Sequence, residues 1–313
     1  MFEKNVSNTI SIIMATYNRG HFICETLDSI LNQTFLNWEC LIIDDGSTDT
    51  TRDVIEPYLI KDSRLKYYSR TNNYKKGLPG CRNQGLNLAK GDYVIFFDDD
   101  DIVHPDNLKI CIELITNEKV DYVRYLREVF VGNFLVDFDR SISFDTKILT
   151  LDDLPRIIKG EIPFNSCQIL WNKKCFENNY FNENLMYAEE WECYCRILTY
   201  GFKGISINKT LFYGRKHSDS NTGEYKNRNI IRLQSHVQAA LLVMSSLQSK
   251  ALLKKDLKKF FVRLSLELKS LKIINTYLAL TNSGYIEKLK YNLGFCIYPF
   301  LKYFFAFKVK WNS

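Results

Sequence analysis

The chain has 313 residues, enough for one large α/β domain with an appendage or for two domains. Hydrophobic residues make up 46% and charged residues 25%, a globular balance that excludes a disordered or fibrous protein. The net charge of +6 is concentrated late in the chain, and no nucleic-acid partner is expected.

Residues 1–20 carry a short apolar run that passes directly into Tyr17-Asn18-Arg19-Gly20. That argues against a signal peptide and for a cytoplasmic protein. Residues 10–15 are β-branched-rich and read as a buried strand. In residues 21–31, Phe22, Ile23, Leu27, Ile30 and Leu31 recur at helical spacing. A second strand over 38–43 ends in Asp44-Asp45-Gly46-Ser47-Thr48, where Ser47 or Thr48 is placed to cap a helix reaching Leu59. Residues 65–68 form a third strand, and 77–91 read as a Gly/Pro turn, a helix and a terminal glycine. A fourth strand over 93–97 runs straight into Asp98, Asp99, Asp100 and Asp101, and Pro105 opens a helix to about Thr116.

Apolar strands alternating with helices imply a mixed, mainly parallel α/β sheet flanked by helices. Ligands of such sheets bind beyond the carboxyl ends of the strands, where the acidic runs fall. After Val120 the pattern changes. A strand, a turn at Gly132-Asn133 and a returning strand are expected, then strands over 167–172, 202–208 and 210–217. Between them lies a helix opened by Glu189 and Glu190 and closed by Gly201. From about Asn227 the chain becomes helical and basic, a C-terminal helical appendage. The expected division is 1–220, in halves of about 1–119 and 120–220, followed by 221–313. The last segment, 285–311, is aromatic and basic and interrupted by Pro299 and Lys302. It is too short and too broken to span a bilayer but suits an anionic membrane surface. Nine cysteines without zinc-like spacing read as reduced, mostly buried thiols.

On an extended segment alternate residues share a face, so Asp98 and Asp100 would address one ligand while Asp99 points elsewhere. Two oxygen donors suit Mg2+ or Mn2+, and a cation would relieve the repulsion within the run. The bland alternative is a solvated acidic turn. Asp44 and Asp45 suit a base N–H or a sugar hydroxyl, or simply cap the next helix. Glu189 and Glu190 are helix-start acids favoured by the dipole, and one of them is placed to act as a general base. His217 is a candidate metal ligand or a structural histidine.

In order and spacing, the segments SIIMATYNRGHFICETLDSILNQTF, ECLIIDDGSTDTT, GCRNQGLNLAKGDYVIFFDDDD and EEWECYCR resemble an inverting glycosyltransferase of family 2 with a GT-A type fold, over residues 9–217. The resemblance implies that Thr16 and Tyr17 line a nucleotide pocket and that Asp45 binds the base, usually uracil. Asp98 and Asp100 would be the Asp-X-Asp pair, holding the donor ribose side and the metal, with Asp99 among the donor-binding residues. Glu190 would be the catalytic base, matching the second residue of the family's Glu-Asp pair with Glu in place of Asp. His217 would be a further metal ligand or a diphosphate contact. Arg82 and Asn83 match the family's Arg-Asn pair and receive no role. The Gln-x-x-Arg-Trp motif of processive members is absent, which implies addition of one sugar per encounter. The implied partners are a UDP-sugar donor, Mn2+ or Mg2+, and a glycan or lipid-linked acceptor in surface polysaccharide assembly at the inner face of the membrane. A sugar-nucleotide-binding protein without catalysis is the main alternative. A receiver domain should carry its acid pair after the first strand rather than the second, and an Asp-x-Asp-x-Thr phosphatase fails on Ile102.

Overall fold

The computed structural model describes residues 8–217 and 221–311, with side chains for all of these except 221–222 and 299–311. The reading of the N-terminus rests in part on residues 1–7, which lie outside the described residues.

The first half alternates as its apolar runs require: β1 (Ile10–Thr16), α1 (Ile23–Leu31), β2 (Trp38–Asp44), α2 (Thr51–Lys61), β3 (Leu65–Ser69), α3 (Leu78–Leu88) and β4 (Tyr93–Phe97). The strands pair in parallel, β1 with both β2 and β4, and β2 with β3. Their carboxyl ends therefore share one rim. The second half adds β5 (Ile102–Val103), α4 (Asn107–Asn117), β6 (Tyr122–Val131), β7 (Thr146–Leu149), α5 (Leu154–Ile158), β8 (Ile169–Asn172), α6 (Glu189–Leu198) and β9 (Gly204–Lys216). The sheet runs β3-β2-β1-β4-β8-β6-β9-β5, with β7 on β9. β8 is antiparallel to both β4 and β6, and β9 runs parallel to β6.

Alternate residues of β1 serve opposite faces. Ile10, Ile12 and Met14 pack with Ile23, Leu27 and Ile30 of α1 and with Leu108 and Ile112 of α4. Ile13 faces the other layer, which holds Leu86 of α3 and Tyr194 and Ile197 of α6. The C-terminal helices α7 (Asn221–Lys226), α8 (Ile230–Ser249), α9 (Lys258–Glu267), α10 (Leu271–Leu280) and α11 (Tyr285–Trp311) follow. Ala240, Val243 and Met244 of α8, Phe261 of α9 and Tyr277 of α10 belong to the same buried cluster as Tyr194. The helical region thus shares a core with the sheet.

Several local expectations are corrected. No strand returns after Gly132; Phe134 and Phe138 instead pack on Tyr213, and Phe134 also on Phe130. β6 finds its partners non-locally, in β8 and β9. The two short strands expected before His217 are one 13-residue strand, β9. Neither Ser47 nor Thr48 caps α2; Asp49 accepts the Thr51 N–H at 2.9 Å, because Ser47 is engaged by Asp44. α11 is continuous through Pro299, and no described helix is long and apolar enough to cross a membrane. All nine cysteines are free, seven of them buried, with Cys24 half-buried and Cys296 exposed.

Gly85 sets how closely α3 approaches the sheet, since a Cβ there would lie 2.3 Å from Cγ2 of Ile13. Alanine would gain about 1 kcal/mol of helix propensity. Overpacking costs about 1–3 kcal/mol and should win. Gly85→Ala is therefore expected to lower stability in urea denaturation, and an unchanged or raised midpoint would contradict this packing.

Candidate active site

The loops after β1 and β2 fasten to each other. Asn18, at φ 53°, donates its N–H to Ser47 Oγ at 2.9 Å and accepts the Thr48 N–H at 2.8 Å. Arg19 donates its N–H to Thr51 Oγ1 at 2.8 Å. Asp44 is internal to this arrangement, accepting from the Ser47 N–H and hydroxyl and from the Tyr67 hydroxyl. Asp45 accepts the Gly77 N–H at 2.9 Å and pairs with Arg70. Thr16 is buried, whereas Tyr17 is 43% exposed, with Lys76 Nζ 4.6 Å from its ring centroid. Thr16, Tyr17 and Asp45 are therefore gathered at one end of β1 and β2, but none of the three lines the cavity that holds the aspartates.

That cavity encloses about 750 Å³. Asp98, Asp99 and Asp100 line it, with Arg19, Arg82, Glu189, Glu190 and His217. The aspartates occupy a turn between β4 and β5, not an extended segment, so the alternation expected of them does not hold. Asp98 faces Arg82 at 3.6 Å, Asp99 faces Arg19 at 3.6 Å, and Asp100 Oδ2 lies 2.7 Å from His217 Nε2. Asp101 turns inward, where its Oδ1 accepts the Arg215 N–H at 2.6 Å and Arg127 approaches to 3.6 Å. Burial, then the charge of Asp100, pushes the Asp99 carboxyl up to about 8. Burial also raises Asp98, against the pull of Arg82.

Arg82 has the most demanding position. It is buried on α3, its Nη1 2.9 Å from Glu189 Oε1 and 3.3 Å from Glu190 Oε2. Its guanidinium also lies over the rings of Phe96 and Phe181. One cation thus serves three carboxylates. Both line the cavity, but the side chain of Glu189 is 7% exposed and that of Glu190 is 29% exposed, so Glu190 is the more accessible of the two. Burial, with the charge of Glu189, pushes Glu190 up to about 7, although Arg82 pulls the other way. A carboxylate at that value is suited to accept a proton near neutral pH. Ala188, immediately before α6, adopts left-handed φ 59°, a costly conformation for a residue with a Cβ. It is held from outside: Ser235 Oγ of α8 accepts the N–H groups of Met186 and Tyr187, both at 2.9 Å, and donates to Tyr187 O at 2.7 Å.

Arg215 closes the far side. It donates to Asp100 O at 2.9 Å, to Gly132 O and to Glu25 at 2.7 Å, and lies between the rings of Phe22 and Phe130. Gly214 precedes it because Arg127 crosses β9 there; a Cβ would meet Nη2 of Arg127 at 1.7 Å. Sequence reasoning passed over Arg215, although it stands two residues from His217, and it assigned no role to Arg82.

A divalent cation fits the pair Asp100 and His217, which converge within hydrogen-bond distance and offer oxygen and imidazole donors. The ligand atoms of Asp98, Asp101 and Cys167 also lie within 4.8 Å of one another. That group fits poorly, because Asp101 is committed to Arg215 and burial keeps the Cys167 thiol protonated.

Residues 11–174 match the family described as Glycosyl transferase family 2. The chain belongs to that family. It is a glycosyltransferase of the GT-A type fold. It is 27% identical to glycosyltransferase GlyG of Streptococcus pneumoniae serotype 4 over 224 residues, 69% of this chain and 73% of that one. It is 37% identical to WfgD of Escherichia coli, a UDP-Glc:alpha-D-GlcNAc-diphosphoundecaprenol beta-1,3-glucosyltransferase, over 127 residues, 41% of this chain and 49% of that one. The match therefore spans about half of WfgD. Among solved structures it resembles S. aureus TarS 1-349 in complex with UDP-GlcNAc at a TM-score of 0.61 and 22% identity, covering 87% of this chain and 79% of that one.

Replacing Arg82 with Met should leave Glu189, Glu190 and Asp98 without their shared cation. The loss is expected to be about 3–5 kcal/mol at pH 8, where Glu190 is ionised. It should shrink as pH falls and Glu190 takes up a proton. Urea denaturation of the Arg82→Met variant at pH 8 and 5.5 measures this, and a pH-independent loss would refute the charge argument.

Proposed function

We propose that the chain transfers one sugar from a UDP-sugar to a hydroxyl of a lipid-linked glycan, with inversion at the anomeric carbon, in surface polysaccharide assembly. The observation that carries this reading is Glu190, a half-buried carboxylate raised to about 7, set through Arg82 against Asp98 in one cavity. The activity of WfgD supports the donor and the diphosphoundecaprenol-linked acceptor.

In this reading the acceptor hydroxyl gives its proton to Glu190 as its oxygen bonds to the anomeric carbon. The bond from that carbon to the diphosphate oxygen breaks, and UDP leaves with the electron pair. Asp100 and His217 would hold a divalent cation, Mn2+ or Mg2+, which when bound supplies positive charge to the leaving diphosphate. Arg19, Lys216 and Lys226 line the same cavity and add to that field. Asp98 and Asp99 take the donor's sugar side. Tyr17 offers a ring face to the base beside Thr16, and Asp45, at the same end of β1 and β2, holds Arg70 and the Gly77 N–H there. No covalent intermediate is required, so the site needs no nucleophile.

Titration calorimetry with UDP, with and without Mn2+, tests the donor site; Asp100→Ala should abolish the metal-dependent part. Glu190→Gln should keep UDP binding but lose about 10²–10⁴-fold in transfer. Wild-type kcat/KM should rise with pH through about 7 as Glu190 ionises. The stability contribution has the opposite sign. Protonated Glu190 is the comfortable form, so stability present below its ordinary pKa is lost as pH rises through about 7. Glu190→Gln should therefore melt higher than wild type above pH 7. A transfer-competent Gln variant would remove Glu190 from the mechanism.

The membrane surface is the second part of the reading. Ile286, Leu289, Leu293 and Ile297 of α11 are all about half-exposed or more, and fall at helical spacing with Lys288 and Lys290 among them. Such a face fits an anionic lipid surface. Sedimentation with phosphatidylglycerol vesicles should pull down the wild type, and Leu289→Glu with Leu293→Glu should abolish it. Equal recovery of both proteins would sink the membrane contact.

A further inference from the structure

Glu190 has aromatic neighbours that the reaction as described does not use. Tyr187 precedes it by three residues and Trp191 follows it, and both line the cavity. His236 of α8 joins them, 5.7 Å from the Tyr187 ring at 62° and 5.7 Å from the Trp191 ring at 82°. Tyr225 stacks behind Tyr187 at 4.2 Å and 6°, and its hydroxyl lies 3.0 Å from His236 Nδ1. Trp191 spends its indole N–H on Ile158 O at 3.2 Å, so its ring is fixed in orientation. Burial pushes His236 down to about 4, so the imidazole is neutral near pH 7. Tyr187, Trp191 and His236 are each half-buried, unlike Tyr194 in the adjoining core.

A pyranose has an apolar C–H face and a rim of hydroxyls. Its face suits an aromatic ring, and its rim suits neutral hydrogen-bonding groups and a carboxylate. We infer that Tyr187, Trp191 and His236 form the acceptor subsite, a wall on which the terminal pyranose of the acceptor stacks while presenting its hydroxyl to Glu190. This rests on the transferase reading above. It assigns acceptor choice in part to α8, which lies outside the family-matched residues 11–174. Tyr225 and Ser235 are positioning residues, one behind the wall and one clamping the backbone of Tyr187.

The test is saturation-transfer NMR on the full chain with UDP present, using the methyl α-pyranosides of glucose, galactose and N-acetylglucosamine as probes. Saturation should reach ring C–H protons of at least one of them. Tyr187→Ala and Trp191→Ala should each reduce that signal roughly three- to tenfold. Trp191→Phe, which keeps a ring face, should retain most of it. Calorimetric UDP affinity should stay within about twofold, which also reports that the variants are folded; a variant that loses UDP binding is replaced by His236→Gln, with the same expectation of a weakened signal. UDP uptake with no pyranoside signal, or a signal indifferent to these substitutions, overturns the acceptor wall alone. Failure of the wild type to take up UDP overturns the UDP-sugar transfer proposed above and this inference with it.

Discussion

A single buried guanidinium holds the site together. Arg82 sits on α3 at a depth set by Gly85 against Ile13, and from there meets Glu189 and Glu190 on α6 and Asp98 after β4. Three carboxylates withdrawn from water would repel one another and give up their charge. Burial, and the charge of Glu189 that one cation shared among three anions does not cancel, leave Glu190 with a raised affinity for protons. The same contact ties the parallel half of the sheet to the helix that carries Glu190. Packing, charge and chemistry therefore depend on one side chain.

The four aspartates divide their labour for a related reason. Asp101 is consumed by the fold, through the backbone of Arg215 and the side chain of Arg127. The other three stay in the cavity because they lie in a turn and each meets a different partner. β9 makes this possible. It carries Arg215, which holds the turn by the carbonyl of Asp100, and His217, directly after the strand, meets the same residue's carboxylate. A strand that arrives late in the sequence completes a site begun by the first four.

Much of the parallel first half was legible because local signals suffice there. Apolar runs such as 93–97 and small polar turns such as Gly46-Ser47 mark strands and loops within a few residues. What stayed hidden depends on distant partners. Nothing near Arg82 announces Glu189 and Glu190, more than a hundred residues away. Phe134 and Phe138 read as strand because they follow a turn at Gly132-Asn133, yet they are drawn onto Tyr213 of β9, more than seventy residues away, instead of pairing with β6. The clamp of Ser235 on the segment before α6 leaves no trace in either sequence pattern, since a serine inside an amphipathic helix is commonplace.

The thiols have a practical consequence. Seven cysteines are sealed in the core, and burial raises the thiol of half-buried Cys24, which slows its reaction with electrophiles. Cys296 is exposed, on the helix that also bears Leu293 and Ile297. A maleimide dye should therefore select it without any engineering. Its emission colour would then report the polarity next to α11, turning an incidental residue into a built-in optical sensor of what that helix touches.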